Sequence, residues 1–260
     1  MRNDWLPPLA RIGLVAKGAS FALVGILALQ LAVGHGGKST SREGALASLA
    51  DNGFGKWLLF ALAAGFAAYA LWRVAQVFFE REEEDHKRWG KRIGYLARAV
   101  IYTGLAYSAV KLAAGKTDTQ SQTERAREAT AEVLDWPAGR WIVAIAGACI
   151  IGAGVYNGYR GLSRKFAERW DTGAMSAEVR RWATRIGVAG LLARLVVFGL
   201  IGVFAIRAAI QYDPKEAIGL DGALQKLAHQ SYGPWLLGLT AAGLLAYAAY
   251  CFADARYRRV

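Results

Sequence analysis

The chain has 260 residues, 55% of them hydrophobic, and carries a formal net charge of +12. Its apolar residues fall in long blocks, which argues against a soluble globular domain, where they form short periodic stripes. The charge would suggest nucleic acid as the partner of a soluble protein, but no nucleic-acid-binding motif accompanies it, so we expect none.

Six blocks are long enough to cross a bilayer, whose hydrocarbon core of about 30 Å needs roughly 20 apolar residues per helix. In chain order they cover approximately Ile12–Val33, Trp57–Phe79, Ile93–Ala114, Trp141–Tyr159, Ile186–Ile210 and Trp235–Ala253. Backbone polar groups inside lipid must be bonded within the segment, so each block predicts a helix. We therefore expect one all-α integral membrane domain over residues 1–260, with the first block retained rather than cleaved as a signal peptide.

The blocks form three copies of a two-helix unit. The first helices open alike, with Gly13-Leu14-Val15-Ala16-Lys17, Gly94-Tyr95-Leu96-Ala97-Arg98 and Gly190-Leu191-Leu192-Ala193-Arg194. The second helices open with Gly55-Lys56-Trp57, Gly139-Arg140-Trp141 and Gly233-Pro234-Trp235. The repeats cover about 10–80, 91–165 and 183–260. Since each crosses the membrane twice, all three have the same orientation, which predicts a six-helix bundle with pseudo-threefold symmetry.

The linker inside each repeat has an amphipathic pattern. Leu46 and Leu49 in the first linker, and Leu224 and Leu227 in the third, are spaced at i, i+3, and Val133 falls in register with them. This spacing predicts a short helix lying on the membrane surface in each repeat.

The basic residues predict the orientation in the membrane. Of the 32 Lys and Arg residues, 21 lie in or beside the termini and the two loops between repeats, and 11 lie in the three linkers. The positive-inside rule therefore places both termini in the cytoplasm and the linker helices outside. A basic cytoplasmic face attracts anionic phospholipid headgroups, which we expect as partners. We expect Trp57, Trp141 and Trp235 at the outer interface, and Trp72, Trp89 and Trp182 at the inner one.

The repeated Gly-x-x-Ala-[Lys/Arg] and Gly-x-Trp motifs, together with the closing run Ala255-Arg256-Tyr257-Arg258-Arg259, resemble the DUF1206 family of bacterial membrane proteins. The resemblance runs from about Leu9 to Val260. It implies this fold and a place in the bacterial inner membrane, but no activity, cofactor or protein partner. The chain departs from the pattern at Ala153, where the other repeats have Tyr69 and Tyr247.

No catalytic, cofactor-binding or metal-binding motif is present. His35, His86 and His229 lie in three different loops, and no nucleophile elbow, P-loop or zinc motif occurs. We therefore expect the protein not to be an enzyme. No acidic residue lies within the six blocks, which disfavours a proton-coupled mechanism. Cys149 and Cys251 each stand alone in an apolar block and are expected as small core residues.

Three basic residues inside the first helices are the strongest candidates for a site: Lys17, Arg98 and Arg194. An aromatic follows each by four positions, namely Phe21, Tyr102 and Phe198, so that charge and ring share a helix face. The basic side chains could snorkel to lipid headgroups. Alternatively, threefold repetition could point all three inward to bind an anion, bidentately in the case of the arginines.

Small residues predict close helix packing at Gly65, Gly154, Gly158 and Gly243, of which Gly154 and Gly158 form a small-xxx-small pair. No proline interrupts a block, unlike the broken helices of many transporters. The sequence thus favours a non-enzymatic scaffold or lipid-interacting membrane protein. The alternative is a transporter or channel for a small anion, which would use the three basic residues.

Overall fold

The computed structural model describes residues 6–33, 53–79, 85–115 and 120–258. These ranges form eight α-helices and contain no β-strand beyond one isolated antiparallel pair, Trp170 with Arg258. The helices are α1 (Leu6–Ala32), α2 (Gly53–Phe79), α3 (Asp85–Ala113), α4 (Gln122–Leu134), α5 (Gly139–Leu162), α6 (Ala177–Gln211), α7 (Leu220–Ala228) and α8 (Gly233–Tyr257). Single 3₁₀ turns cover Ala167–Arg169, Thr172–Ala174 and Pro214–Glu216. The all-helical fold is confirmed.

Five of these helices, α1, α2, α5, α6 and α8, are long and apolar enough to cross a membrane. Five of the six predicted blocks are thus confirmed as helices able to span a bilayer, in agreement with a helical membrane protein. The third predicted span lies in α3, whose 29 residues extend about 43 Å at 1.5 Å per residue. Its charged first turns, together with Arg98 and Lys111, make it less apolar than the others, so its crossing of the membrane stays a prediction.

Helix α6 begins well before the apolar block that predicted it. The block starts near Ile186, but Ser176 caps the helix nine residues earlier by accepting a hydrogen bond from the Val179 N–H at 3.2 Å. At 35 residues α6 is about 52 Å long, which exceeds the hydrocarbon core of a bilayer. Its basic first turns therefore extend out of the apolar region.

Two of the three linkers contain short helices, α4 and α7, and the first linker lies outside the described residues. Helix α4 starts with a capping box, in which Ser121 accepts from the Glu124 N–H and the Glu124 carboxylate accepts from the Ser121 N–H. In helix α7 the side chains of Leu224 and Leu227 are buried. That these helices lie on a membrane surface stays a prediction.

Helices α4 and α7 are joined through one buried threonine. The Thr123 hydroxyl donates to the Asp221 carboxylate at 2.8 Å and accepts from the backbone N–H groups of Gly219 and Gly222 at 3.0 and 3.2 Å. The linkers of the second and third repeats are therefore held together by a satisfied polar contact.

The six long helices are arranged so that each repeat packs against the next. Helix α2 packs on α3, α5 on α6, and α8 on α1, and within repeats α1 packs on α2 and α6 on α8. The described parts of α3 and α5, the pair that belongs to the second repeat, barely meet. Five of the six contacts that would close a ring are thus made, and the threefold symmetry stays a prediction.

The ends of the spans show one expected and one unexpected tryptophan placement. Trp57, Trp141 and Trp235 are 76%, 65% and 83% exposed, which suits an interfacial position. Trp72, expected at the inner interface, is only 3% exposed, so it is covered by protein, and its depth in the membrane stays a prediction. It packs edge-on against Tyr69 inside the bundle.

The loop before α6 is fastened to the end of α8. The Trp170 indole N–H donates to Asp254 at 3.1 Å, and Arg258 forms a 3.0 Å ion pair with the same carboxylate. Asp254 is 4% exposed and lies within α8, which continues past the predicted end at Ala253. Asp254 thus lies one residue beyond the last apolar block, in which no acidic residue occurs, but within the helix that the block forms.

Candidate functional site

Lys17 and Arg194, from the first and third repeats, meet at one aromatic ring. The Lys17 ammonium lies 5.2 Å from the centroid of the Tyr247 ring and 5.6 Å from that of Tyr69. The Arg194 guanidinium lies 4.6 Å from the Tyr247 ring and donates a hydrogen bond to the Tyr247 hydroxyl. Both cations therefore point into the bundle rather than along its surface.

A third cation, Arg73 on α2, joins this group from a position that the repeat pattern does not single out. Its side chain is 7% exposed and donates to the Tyr69 hydroxyl and to Gln76, both at 2.5 Å. The guanidinium stacks 4.2 Å from the Trp72 ring and 4.7 Å from the Tyr69 ring. The second repeat has Asn157 and the third has Cys251 at this position, so the symmetry of the sequence gives no signal for Arg73.

Arg98, from the second repeat, lies at the edge of the same group. It is close enough to Arg73 and Arg194 to be repelled by both positive charges. Unlike the other cations it is exposed. The structure thus brings all three predicted basic residues near one another and adds a fourth. We call Lys17, Arg73, Arg98 and Arg194 the cation cluster.

The predicted aromatic partners also lie in this region. Phe198 stacks on Arg194 at 4.7 Å, as the four-residue spacing predicts. The Phe21 ring centroid lies 5.6 Å from the Arg194 guanidinium and 4.8 Å from the Tyr247 ring centroid. This ring of the first repeat therefore contacts the cation of the third repeat. Tyr102 packs 4.4 Å from Tyr69. The rings surround the cations with apolar surface, and the tyrosines among them add hydroxyl groups.

The cation cluster has no carboxylate partner among the described residues. The ion pairs recorded there join Arg207 with Glu216 and Arg258 with Asp254. The Nε atoms of Arg73 and Arg194 are buried without a hydrogen-bond acceptor. Within the same ranges, no group of three His, Cys, Asp or Glu side chains could hold a metal ion. The site is therefore an accumulation of uncompensated positive charge.

The predicted packing glycines lie where helices touch. A Cβ atom at Gly65 would clash with Ala16, and one at Gly243 would clash with Ala193. Atoms of Phe198 and Leu195 lie 3.1 and 2.9 Å from a Cβ atom built at Gly154 and Gly158, respectively. Gly65 and Gly243 thus allow the two long helices of repeats one and three to approach closely. Gly154 and Gly158 allow α5 to approach α6.

Tyr69 and Tyr247 occupy equivalent places in repeats one and three. A Cβ atom at Gly13 would lie 2.5 Å from the Tyr69 Cβ, and one at Gly190 would lie 2.5 Å from the Tyr247 Cα. Each tyrosine thus covers the opening glycine of its repeat and reaches the cations with its ring. In the sequence these tyrosines stand out only because the second repeat has Ala153 at the equivalent position.

Long apolar helices built from three copies of one unit define a helical membrane protein made of internal repeats. The chain belongs to the DUF1206 family, described as a Domain of Unknown Function, whose family model matches residues 12–80, 93–164 and 189–258. The three matches confirm the family resemblance and fall on the three predicted repeats.

One relative is similar over nearly its whole length. A protein of Bacillus subtilis (strain 168) named "Uncharacterized protein YxxB" is 32% identical over 262 residues, which cover 99% of this chain and 93% of the relative. No solved structure matches the chain.

Proposed function

We propose that this protein is a non-enzymatic membrane protein that binds an anionic ligand at the cation cluster. The observation that carries the proposal is the convergence of Lys17, Arg73, Arg98 and Arg194 without a carboxylate among the described residues. A charged group within a membrane segment is costly to desolvate, so it is by default a candidate for a ligand or ion site.

The energetics favour an anion as the missing partner. A basic residue near the middle of a membrane helix costs about 2.5–3.5 kcal/mol on insertion scales. A desolvated cation–π contact returns roughly 2 kcal/mol. The rings beside Lys17, Arg73 and Arg194 can thus offset much of each single penalty. They do nothing about repulsion between the cations, which a bound anion would relieve.

The chemistry of the cluster suits an oxyanion such as a phosphate or carboxylate group. Guanidinium groups bind such groups bidentately, while Lys17 contributes a point charge. The buried Nε atoms of Arg73 and Arg194 are donors still available to an acceptor. This favours the alternative of an inward anion site over snorkelling.

The proposal includes a sixth span and a cytoplasmic position for both termini, in a bacterial inner membrane. Helix α3 packs along α2 and carries Arg98 at the position of Lys17 and Arg194, which lie in α1 and α6. If all six helices cross, the cluster lies toward the basic side of the membrane. That side is where the positive-inside rule places the cytoplasm.

The test is anion binding by the purified full chain in neutral detergent. Orthophosphate and phosphatidylglycerol are titrated into the wild type and the triple variant Lys17→Gln/Arg98→Gln/Arg194→Gln. Each charge-assisted hydrogen bond contributes about 1.5–3 kcal/mol, so losing the cations should weaken binding at least tenfold.

The matched control removes the same three charges elsewhere. The variant Arg180→Gln/Arg181→Gln/Arg185→Gln alters three exposed arginines in the first turns of α6. It should bind orthophosphate like the wild type, because it leaves the cation cluster unchanged. Equal binding by all three proteins would refute the anion site and leave the scaffold role as the better account.

A further inference from the structure

The second repeat lacks the internal contact that closes the other two. In repeats one and three, Ala16 and Ala193 are 6% and 8% exposed because they pack against Gly65 and Gly243. The equivalent residues of the second repeat, Ala97 and Cys149, are both exposed. The expectation that Cys149 is a core residue is therefore wrong, whereas Cys251 is buried as expected.

The same difference continues along both helices. Ile101 is 55% exposed where its counterpart Val197 is 2% exposed. Tyr156 is 55% exposed where Trp72 and Tyr250 are 3% and 6% exposed. We call the line formed by Ala97 and Ile101 on α3 and by Cys149, Ala153 and Tyr156 on α5 the seam.

Two substitutions in the sequence explain why the seam stays open. Cys149 replaces a glycine at a point where any Cβ atom would clash with the opposing alanine in the other repeats. Ala153 replaces the tyrosine that covers the opening glycine, and Gly94 accordingly has only the Arg98 side chain near it, at 3.9 Å. The Cys149 side chain is too large for the two helices to approach closely, and the Ala153 side chain is too small to fill the space between them.

The seam leads to the cation cluster. Arg98 is the residue after Ala97 and one turn before Ile101, it is exposed, and it lies within the repulsive field of Arg73 and Arg194. A ligand in the seam would therefore meet apolar side chains along its length and positive charge at one end. From Arg98 to the end of α3 at Ala113 is about 22 Å, longer than one leaflet's hydrocarbon depth of roughly 15 Å.

We propose that the ligand of the cation cluster is an anionic phospholipid, whose phosphate binds the cluster and whose acyl chains occupy the seam. This rests on the proposed anion-binding function and adds the ligand class and its route. Charge complementarity selects this occupant, because a neutral lipid would leave Arg98 uncompensated. A second copy of the chain packed seam against seam would add another positive Arg98 there, and not the negative charge that the cluster needs.

The test closes the seam without changing the cluster. In Ala153→Tyr the second repeat receives the tyrosine of the other two, and Ala148→Tyr places the same side chain at an exposed position about 140° away around α5. Native mass spectrometry then compares retention of phosphatidylglycerol and phosphatidylcholine, while calorimetry measures orthophosphate binding.

We expect the wild type and Ala148→Tyr to retain phosphatidylglycerol over phosphatidylcholine. In Ala153→Tyr that retention should fall at least tenfold while orthophosphate still binds. Unchanged lipid retention in Ala153→Tyr, or orthophosphate binding without any lipid retention, would overturn the seam as a lipid site and leave the anion site standing. Insensitivity of both ligands to removal of the cations would overturn the anion site itself.

A second measurement needs no variant and so does not depend on the folding of Ala153→Tyr. Phosphatidylglycerol carrying a maleimide on one acyl chain should form an adduct with Cys149 and not with buried Cys251. Excess unmodified phosphatidylglycerol should suppress the adduct, whereas phosphatidylcholine should not. Equal suppression by both lipids, or no adduct at Cys149, would contradict the proposal.

Discussion

Individual charged residues inside this bundle are held in two different ways. Asp254 is fully paired, with an indole N–H on one oxygen and a guanidinium on the other. Arg73 and Arg194 instead lie among aromatic rings, and each keeps a buried nitrogen without a partner. The first arrangement satisfies the charge within the chain, whereas the second leaves a donor unused, which is the basis of the proposed anion site.

The pairing of Asp254 can be tested through Trp170, which is 1% exposed. Trp170→Phe keeps an aromatic ring beside Phe166 but removes the donor to the buried carboxylate. Since a hydrogen bond to a charged group contributes about 1.5–3 kcal/mol, the free energy of unfolding should fall by about that amount. Denaturant unfolding in detergent micelles measures it. Trp182→Phe, at a tryptophan 56% exposed, is the control and should unfold like the wild type. Equal stability of the two variants would contradict a structural role for this hydrogen bond.

The sequence predicted part of the site at this scale. Lys17, Arg98 and Arg194 were identified because they recur in three copies, and repetition makes a basic residue in an apolar block conspicuous. Arg73 occurs once, at a helix end where snorkelling is the ordinary expectation. Its Tyr69 partner lies one turn earlier on the same helix, a spacing that the sequence shows, but only packing decides that this face of α2 turns into the bundle.

At the scale of helices, small differences between repeats decide which pairs pack. The opening glycine contacts a tyrosine in repeats one and three, while in repeat two a Cβ atom at that glycine would meet only the Arg98 side chain among the described residues, at 3.9 Å. The helix lengths were less predictable, because caps such as Ser176 extend a helix beyond its apolar block. The hydropathy of a sequence predicts the segment that lies in the membrane, whereas the hydrogen-bonded helix can begin and end outside that segment.

The glycine contacts yield a matched pair of variants. In Gly190→Ala the new methyl group would lie 2.5 Å from the Tyr247 Cα, so the backbones of α6 and α8 must separate. Overpacking of this kind costs about 1–3 kcal/mol of unfolding free energy. Gly94→Ala makes the same change at the open position of α3 and should shift stability by less than about 0.5 kcal/mol. Thermal unfolding in micelles compares the two; similar losses in both would show that α3 is packed against α5 after all.

At the scale of the whole molecule, the orientation depends on whether α3 crosses the membrane. With α3 crossing, the chain has six spans and both termini on one side; without it, the spans number five and the termini lie on opposite sides. The described part of α3 packs on α2 over much of its length, which favours crossing.

Thiol labelling decides this directly. After Cys149→Ala and Cys251→Ala, single cysteines are placed in Glu82–Asp85 and in Thr117–Ser121, on either side of α3. In intact cells an impermeant maleimide should label the second position and not the first, because the basic loops are expected in the cytoplasm. The opposite pattern would invert the topology, and identical labelling at both positions would mean that α3 does not cross.

The sequence by itself determined the class of protein, five helices long and apolar enough to span a membrane, and the threefold repetition, because hydrophobic length and internal similarity can be read along the chain. Tertiary structure alone decided where the charges point, which repeat stays open and which single residues, such as Arg73 and Asp254, enter the interior. Those outcomes depend on how closely two helices can approach, which differences of an ångström decide. Cys149 in place of a glycine, or Ala153 in place of a tyrosine, is enough to change whether a helix pair packs.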